Sequence, residues 1–293
     1  MQNDKQVCAI TGADGYVGSR IAANFARQGW IVKQFVYNPS ATLAANPDVV
    51  SFTLGGALAP EAFAGVDALV HCAYDFTATA WDAIQRINVE GSRALFAAAA
   101  AAGVSRIVHI STMSAYPGCV SLYGKAKLLT ERLAFDAGGR VCRPGLVYGR
   151  QPGGMVGALN RLVARTSIVP LPGGGRQTLY LANEADLSAC ILRLASRDSS
   201  GAAQAVIGAS EQGLTFRNIL EKLAAARGKR LRFIGFPWRL AWLGLKAAEG
   251  CHVNLGFRSD SLVSLMNQDT APDFSATRAL GAQFRPFDPK DMQ

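Results

Sequence analysis

Tyr123 and Lys127 stand four residues apart, a spacing that puts a phenol and an ammonium on one face of a helix. A phenol titrates near ~10 and is a poor base at neutral pH. An ammonium beside it favours the phenolate, so the pair could exchange a proton with a substrate oxygen. Upstream, the stretch from His109 to Gly118 is rich in hydroxyls, with Ser111, Thr112 and Ser114. A hydroxyl there can hydrogen-bond a reacting carbonyl and hold it beside the phenol, although Ser and Thr at strand ends also cap turns. Near the chain start lies Thr11-Gly12-Ala13-Asp14-Gly15-Tyr16-Val17-Gly18, directly after an apolar run. Gly12 and Gly15 allow a tight turn and a close backbone approach to a pyrophosphate. Gly18 lets the following helix pack on the strand, and the helix N-terminus offers its N–H groups to the anion.

The elements that must position these residues alternate in type. Strands are expected over Val7–Ile10, Ile31–Val36, Val49–Thr53, Ala68–Cys72, Arg106–Ser111 and Gly139–Arg143. Helices are expected over Tyr16–Gln28, Trp81–Ala102 and Leu122–Phe135. That alternation implies an α/β fold, a Rossmann-type doubly wound parallel sheet. After Arg143, Gly and Pro concentrate in RPGLVYGRQPGG and VPLPGGGRQ, which read as loops. Beyond them come a helix over Thr215–Ala226, a strand over Leu231–Ile234 and a helix over Pro237–Gly250. The organisation expected is a cofactor-binding domain over 1–150 and a smaller, loop-rich substrate part over 151–293, with segments free to return to the sheet.

Composition narrows the class. With 49% hydrophobic and 17% charged residues over 293 positions, the chain can bury a large core. The N-terminal segment lacks the charged and apolar regions of a signal peptide, and no run is long enough to span a bilayer. A cytoplasmic protein is therefore expected. The six cysteines show no CxxC pair, so reduced thiols are expected. His71, His109 and His252 show no ligand spacing, and no metal is expected. The net charge of +9 fits either a solvated basic surface or a field that draws in phosphate-bearing ligands. Nucleic acid is not expected, since no recognition module is visible. Trp238 and Trp242 suit packing, with a membrane-surface or subunit contact, such as a homodimer, as the other reading.

Taken together, these features resemble the extended branch of the short-chain dehydrogenase/reductase superfamily, the NAD-dependent epimerase/dehydratase family, over nearly the whole chain. The family's TGxxGxxG is similar to Thr11–Gly18 and its DxVxHxAA to Asp67–Ala73. NVxGT resembles Asn88–Ser92, YxxxK matches Tyr123 and Lys127, and RPxxVYG matches Arg143–Gly149. The resemblance implies an NAD(P)-dependent enzyme that moves hydride at a hydroxyl-bearing or carbonyl carbon. Tyr123 would be the acid/base, and Lys127 would lower its pKa and hold the nicotinamide ribose. Thr112, four residues before Tyr116, would be the catalytic hydroxyl, with Ser111 and Ser114 as weaker occupants. Asn88 would complete a proton relay through water. Cofactor contacts would fall on Gly12, Asp14, Gly15, Tyr16, Val17, Gly18, Tyr37, Asn38, Cys72, Ala73, Pro144 and Val147. His71 is read as a strand-end residue near the cofactor, not a base.

Departures from the family pattern shape the finer expectations. Thr112 and Tyr123 are closer than usual, so the trimmed loop should open one side of the site. Thr112-Met113-Ser114 lacks the acidic pair of the dehydratases. No carboxylate follows the second strand at Tyr37-Asn38, which leans the cofactor towards NADP over NAD. The segment from Pro170 to Leu187 is similar to the nucleotide-sugar branch, with Arg176 as a phosphate ligand and Ser114 facing substrate. A nucleotide-sugar 4-epimerase or ketoreductase follows. The alternatives are a reductase of a small non-sugar carbonyl and a non-catalytic cofactor-sensing protein.

Overall fold

In the computed structural model, which describes residues 5–151, 153–196, 204–251, 253 and 257–292, short apolar runs form strands whose side chains alternate between two cores. The strands are β1 (Val7–Thr11), β2 (Ile31–Val36), β3 (Val49–Ser51), β4 (Ala68–His71), β5 (Arg106–Ile110) and β6 (Arg140–Pro144). Shorter ones follow: β7 (Leu146–Tyr148), β8 (Ile168–Pro172), β9 (Thr178–Leu179), β10 (Leu181–Asn183), β11 (Val206–Gly208), β12 (Leu214–Thr215) and β13 (Arg232–Phe236). The early helices are α1 (Tyr16–Arg27), α2 (Ala41–Ala44), α3 (Trp81–Ile84), α4 (Gly91–Ala101) and α5 (Leu122–Asp136). The later ones are α6 (Gly154–Arg165), α7 (Glu184–Ala195), α8 (Phe216–Ala225), α9 (Trp238–Gly250), α10 (Ser259–Met266) and α11 (Ser275–Ala279).

Seven parallel strands form the main sheet in the order β3-β2-β1-β4-β5-β6-β11. Cys8, Ile10, Val70, Val108 and Cys142 face one core, which Ile21 and Phe25 of α1 and Leu187 and Ile191 of α7 cover. Ala9, Leu69, Ile107 and Val141 face the other, beneath Leu95, Phe96 and Ala99 of α4 and Ala134 of α5. With β2 on one side of β1 and β4 on the other, the chain reverses direction at β1. A crevice must open there, at the carboxyl ends of β1 and β4. A further hydrophobic body, with Val156, Val169, Leu181, Phe216 and Ile219 in its interior, gathers α6, α8, β8 and β10.

Two features differ from the expectations. The helix expected over Trp81–Ala102 is interrupted by a π-helical turn at Gln85–Glu90, between α3 and α4; such turns recur at functional sites. The Gly-Pro segments read as loops contain β7, β8 and the start of α6. Their prolines hid β8, whose pattern is nonetheless alternating: Val169 and Leu171 point inward while Ile168 and Pro170 are exposed. Proline is tolerated there because, among the described residues, β8 pairs on one side only, with β13. From beyond residue 150, α7 and β11 join the main sheet. Trp238 and Trp242, with Ala241 and Leu245, pack inward on the second body, as the packing reading expected.

All six cysteines are free thiols. Among the described residues no helix is long and apolar enough to cross a membrane, and no cluster of His, Cys, Asp or Glu could hold a metal ion. His252 lies outside the described residues.

Candidate active site

The glycine-rich turn is held by its own backbone. Gly12 sits at φ +64° with its N–H donating to Phe35 O at 2.9 Å, and Gly15 N–H donates to Gly12 O at 3.0 Å. A Cβ on Gly12 would come within 3.1 Å of the Ala73 backbone, and one on Gly18 within 2.1 Å of Gly12 O. Helix α1 then starts without a side-chain cap and without an acid in its first turn. That leaves donors and no competing anion for a pyrophosphate. The cradle fits a dinucleotide. Asp14 is exposed at the turn, whereas Val17 packs on the core. The Tyr16 ring lies against Gly153 and 3.9 Å below the Arg20 guanidinium, so its backbone is the part left to meet a ligand.

Behind the turn, the ends of β1 and β4 are tied together. Thr11 Oγ1 lies 2.7 Å from His71 Nδ1 and accepts from Cys72 N and Ala73 N, each at 3.2 Å. His71 Nε2 lies 2.8 Å from Ser92 Oγ, which donates to Asn88 O at 2.6 Å. Burial lowers the His71 pKa to about 3, so the ring is neutral. Since the Ser92 hydrogen is spent on Asn88 O, Nε2 carries the ring proton and Nδ1 accepts from Thr11. His71 is thus a brace, in line with the reading of it as other than a base. Next to it, His109 is fully buried, and among the described residues neither ring nitrogen has a hydrogen-bond partner. An unpaired buried polar group costs about 1–3 kcal/mol. His109→Phe should therefore raise unfolding stability by about 1 kcal/mol in urea titration, and a loss of stability would refute this assignment.

Helix α5 carries the acid/base pair, and two residues set where it begins. Ser121 Oγ accepts from Gly124 N at 3.1 Å. The Asp260 carboxylate accepts from Leu122 N at 2.8 Å and Tyr123 N at 3.0 Å. Tyr123 therefore enters the site from a helix end whose first donors are satisfied. The Thr112 hydroxyl accepts from Ser114 N at 3.2 Å and shares the cavity wall with the Tyr123 phenol, whose pKa it lowers. One turn further, Lys127 is buried and donates to Ile110 O at 2.7 Å, 5.2 Å from the Tyr74 ring centroid. Burial lowers the Lys127 pKa to about 8, with Cys72 and Glu131 opposing.

The expectation that Lys127 would lower the Tyr123 pKa is not met. Burial pushes the phenol up to about 12, and only the Thr112 hydrogen bond opposes it. Lys127 is turned to the Ile110 carbonyl, while aromatic rings surround the phenol: Tyr74 at 4.9 Å edge-on and Phe76 at 5.7 Å. Asn88 has a structural tie of its own. Its amide accepts from Asp75 N at 2.7 Å and donates to Asp75 O at 3.1 Å, so it props the loop that bears Tyr74 and Phe76.

In front of Thr112 and Tyr123 lies a cavity of about 330 Å³, a volume suited to a small organic molecule. Ser114, Pro144, Met155, Leu179, Tyr180 and Leu265 are among its walls. The side expected to be open is closed by α10. Ser264 Oγ donates to Ser114 Oγ at 2.6 Å, and Tyr116 Oη donates to Asn267 O at 3.1 Å. Arg258 and Asp260 also line the cavity and were missed in the sequence. An acid just inside a short apolar helix, as in Ser259-Asp260-Ser261-Leu262, is the signal that marks this element. Arg258 donates to Phe76 O at 2.9 Å and Ala78 O at 3.3 Å.

The remaining expected site residues are dispersed. Tyr37 is 69% exposed after β2, and Asn38 adopts φ +46°. Cys72 and Val147 are partly buried beside the first core, and burial pushes the Cys72 thiol up to about 12. Arg176 is exposed and absent from the cavity wall. Ser111 donates to buried Glu131, which also takes a two-pronged grip from Arg143 at 2.8 and 2.6 Å. Arg143 therefore serves the fold, and Ser111 is removed from the catalytic position.

The sequence pattern of the NAD dependent epimerase/dehydratase family matches residues 8–208, more than two thirds of the chain. The chain belongs to this family. The family's NAD dependence fits the Rossmann sheet and glycine-rich turn described above. It is 30% identical over 251 residues to the uncharacterized protein y4nG of Sinorhizobium fredii, covering 77% of this chain and 62% of that one. The chain thus spans less than two thirds of that relative. It is 26% identical over 244 residues to the ceramide reductase of Caulobacter vibrioides, covering 79% and 74%. Among solved structures it resembles MoeE5 in complex with UDP-glucose and NAD, at a TM-score of 0.74 and 20% identity over 97% and 95% of the two chains. That last likeness is one of fold.

Proposed function

We propose that this family member is a carbonyl reductase whose substrate is an uncharged, lipophilic ketone. One observation carries the reading: among the described residues the cavity wall offers a single cation, Arg258, which already gives donors to the Phe76 and Ala78 carbonyls, and a single acid, Asp260, which accepts from two backbone N–H groups. A nucleotide diphosphate needs guanidinium or ammonium donors that are free to grip it. The rest of the wall is apolar or carries neutral hydroxyls and amides. Likeness to a ceramide reductase, whose name denotes reduction of a lipid, supports the same reading.

A bound nicotinamide dinucleotide supplies hydride from its C4 position. Gly12, Gly15 and the opening turn of α1 would hold its pyrophosphate. Ile110 O takes one of the three ammonium donors of Lys127, which leaves others for a ribose hydroxyl. Thr112 and Tyr123, which line the same cavity, would share the substrate oxygen. Tyr123 is a phenol at neutral pH, the protonation state required to donate as the carbonyl is reduced.

This reading replaces the expected nucleotide-sugar with the small-carbonyl alternative, and calorimetry separates them. UDP, GDP and dTDP added to the cofactor-loaded protein should not bind below millimolar, and Arg176→Ala should leave ketone turnover unchanged. Micromolar UDP binding that weakens by about 1.5–3 kcal/mol in Arg176→Ala would instead restore the nucleotide-sugar reading.

For the cofactor we propose that NADPH binds at least as tightly as NADH. The observation behind this is the absence of any carboxylate at Tyr37-Asn38-Pro39-Ser40, which would otherwise repel a 2′-phosphate. Fluorescence titration decides it, and a tenfold preference for NADH would sink the proposal.

A further inference from the structure

The second hydrophobic body carries an apolar surface on its outside as well as a core within. Ile168 of β8, Ile234 of β13, and Leu240 and Leu243 of α9 are 52%, 58%, 62% and 56% exposed. They are not scattered. Register pairs Arg232 with Ile168 and Ile234 with Pro170, and all four are exposed, so they form the outer face of this two-stranded sheet. β13 runs through Pro237 directly into α9. That helix turns Trp238, Ala241, Trp242 and Leu245 inward and leaves Leu240, Leu243, Gly244 and Ala247 in solvent. A helix apolar on both sides is stable when both are covered.

The charges around this face say what covers it. From Lys222 to Cys251 the chain has seven cations and one acid, Glu249. Glu249 is already taken by Ser259 N and Oγ at 2.7 and 2.8 Å and pairs with Lys246 at 3.7 Å. Arg232 is exposed opposite Ile168, and Arg239 is exposed directly before Leu240. A second copy of the chain meeting this face symmetrically would set these cations against one another, with no acid among the described exposed residues of β8, β13 and α9 to receive them. An anionic bilayer satisfies both halves of the surface. Leucines enter the acyl boundary, while arginine and lysine keep their heads among the phosphates.

We propose that the outer face of β8, β13 and α9 docks the enzyme on an anionic phospholipid surface. Docking would set the cavity close to the bilayer, because Glu249 at the end of α9 holds the start of α10, and α10 forms a cavity wall. The proposal stands on the surface alone and does not require the lipophilic-ketone reading.

The test is co-sedimentation of the full chain with vesicles of phosphatidylcholine containing phosphatidylglycerol, against vesicles of phosphatidylcholine alone. Binding should require the anionic lipid and fall with added salt. Leu240→Asp/Leu243→Asp should lower vesicle partitioning at least about tenfold. Arg232→Glu/Arg239→Glu should lower it about fivefold or more for each cation. Both pairs should leave turnover of a water-soluble ketone within about twofold and circular dichroism unchanged. Absence of binding to anionic vesicles, or binding that both pairs leave intact, overturns the proposal. So does a dimer in size-exclusion chromatography that the leucine pair dissociates, since a second copy would then own the face. Vesicle binding without any ketone reduction would keep the docking surface and discard the substrate reading.

Discussion

Tyr123→Phe is expected to lower carbonyl reduction by about a hundredfold or more while leaving cofactor affinity within a few-fold, because proton transfer by a positioned side chain contributes about 10²–10⁴-fold. Tyr123 lines the cavity with Thr112, and removing its phenol oxygen takes away the proton donor without disturbing α5, whose start is set by Ser121 and Asp260. Phenylalanine retains the ring contacts to Tyr74 and Phe76. The pH profile adds a second readout. With Tyr123 raised to about 12, the donor stays protonated through the working range. Lys127, lowered to about 8, is the group that changes charge. It is an ammonium below that pH and neutral above it, so reductive kcat should fall as pH rises past about 8. Stopped-flow reduction with saturating cofactor measures both effects. Turnover of Tyr123→Phe within a few-fold of wild type would remove Tyr123 from the mechanism. A profile flat to pH 10 would show that the Lys127 charge is not needed.

The parts of this site that were legible in sequence are those governed by local spacing. Gly12, Gly15 and Gly18 answer to one turn and one helix start, and the backbone clashes a Cβ would meet there involve atoms within the same turn or in the adjacent strand end. Tyr123 and Lys127 needed only the helical repeat. Strands β1 to β6 announced themselves through apolar runs, with boundaries within two residues. What stayed hidden depends on contacts between distant segments. Asp260 caps α5 from 138 and 137 residues away, and no local pattern ties it to Tyr123. The Tyr123 pKa was misjudged for the same reason. Spacing shows that Lys127 is near, but not that Ile110 O claims it or that Tyr74 and Phe76 dry the phenol. Asn88 matched a family motif, yet the motif does not reveal that Asp75 occupies its amide. Glu131 was detectable in principle. It lies four residues after Lys127 on the same helix, an unusual place for a buried carboxylate.

Glu131→Gln is expected to cost about 3–5 kcal/mol of stability, the scale for removing one partner of a buried ion pair. Glu131 is 2% exposed and holds three donors: Ser111 Oγ, and Arg143 Nε and its terminal nitrogen. Glutamine keeps the shape but loses the charge, leaving the Arg143 guanidinium, 21% exposed in its side chain, without a counter-ion. The loss is large against the total of about 5–15 kcal/mol that holds a native protein together. It should also reach the chemistry. Ser111 is the residue before Thr112, and Glu131 joins the end of β5 to α5 and, through Arg143, to β6. A loosened Thr112 would cost turnover more than cofactor binding. Replacing the whole pair with apolar residues, as in Glu131→Leu/Arg143→Met, removes the stranded charge and should recover much of the stability. Urea unfolding of the single and double variants tests the account. If Glu131→Gln costs less than about 1 kcal/mol, or the double variant is less stable than the single one, the ion pair is not what clamps Thr112 to the catalytic helix.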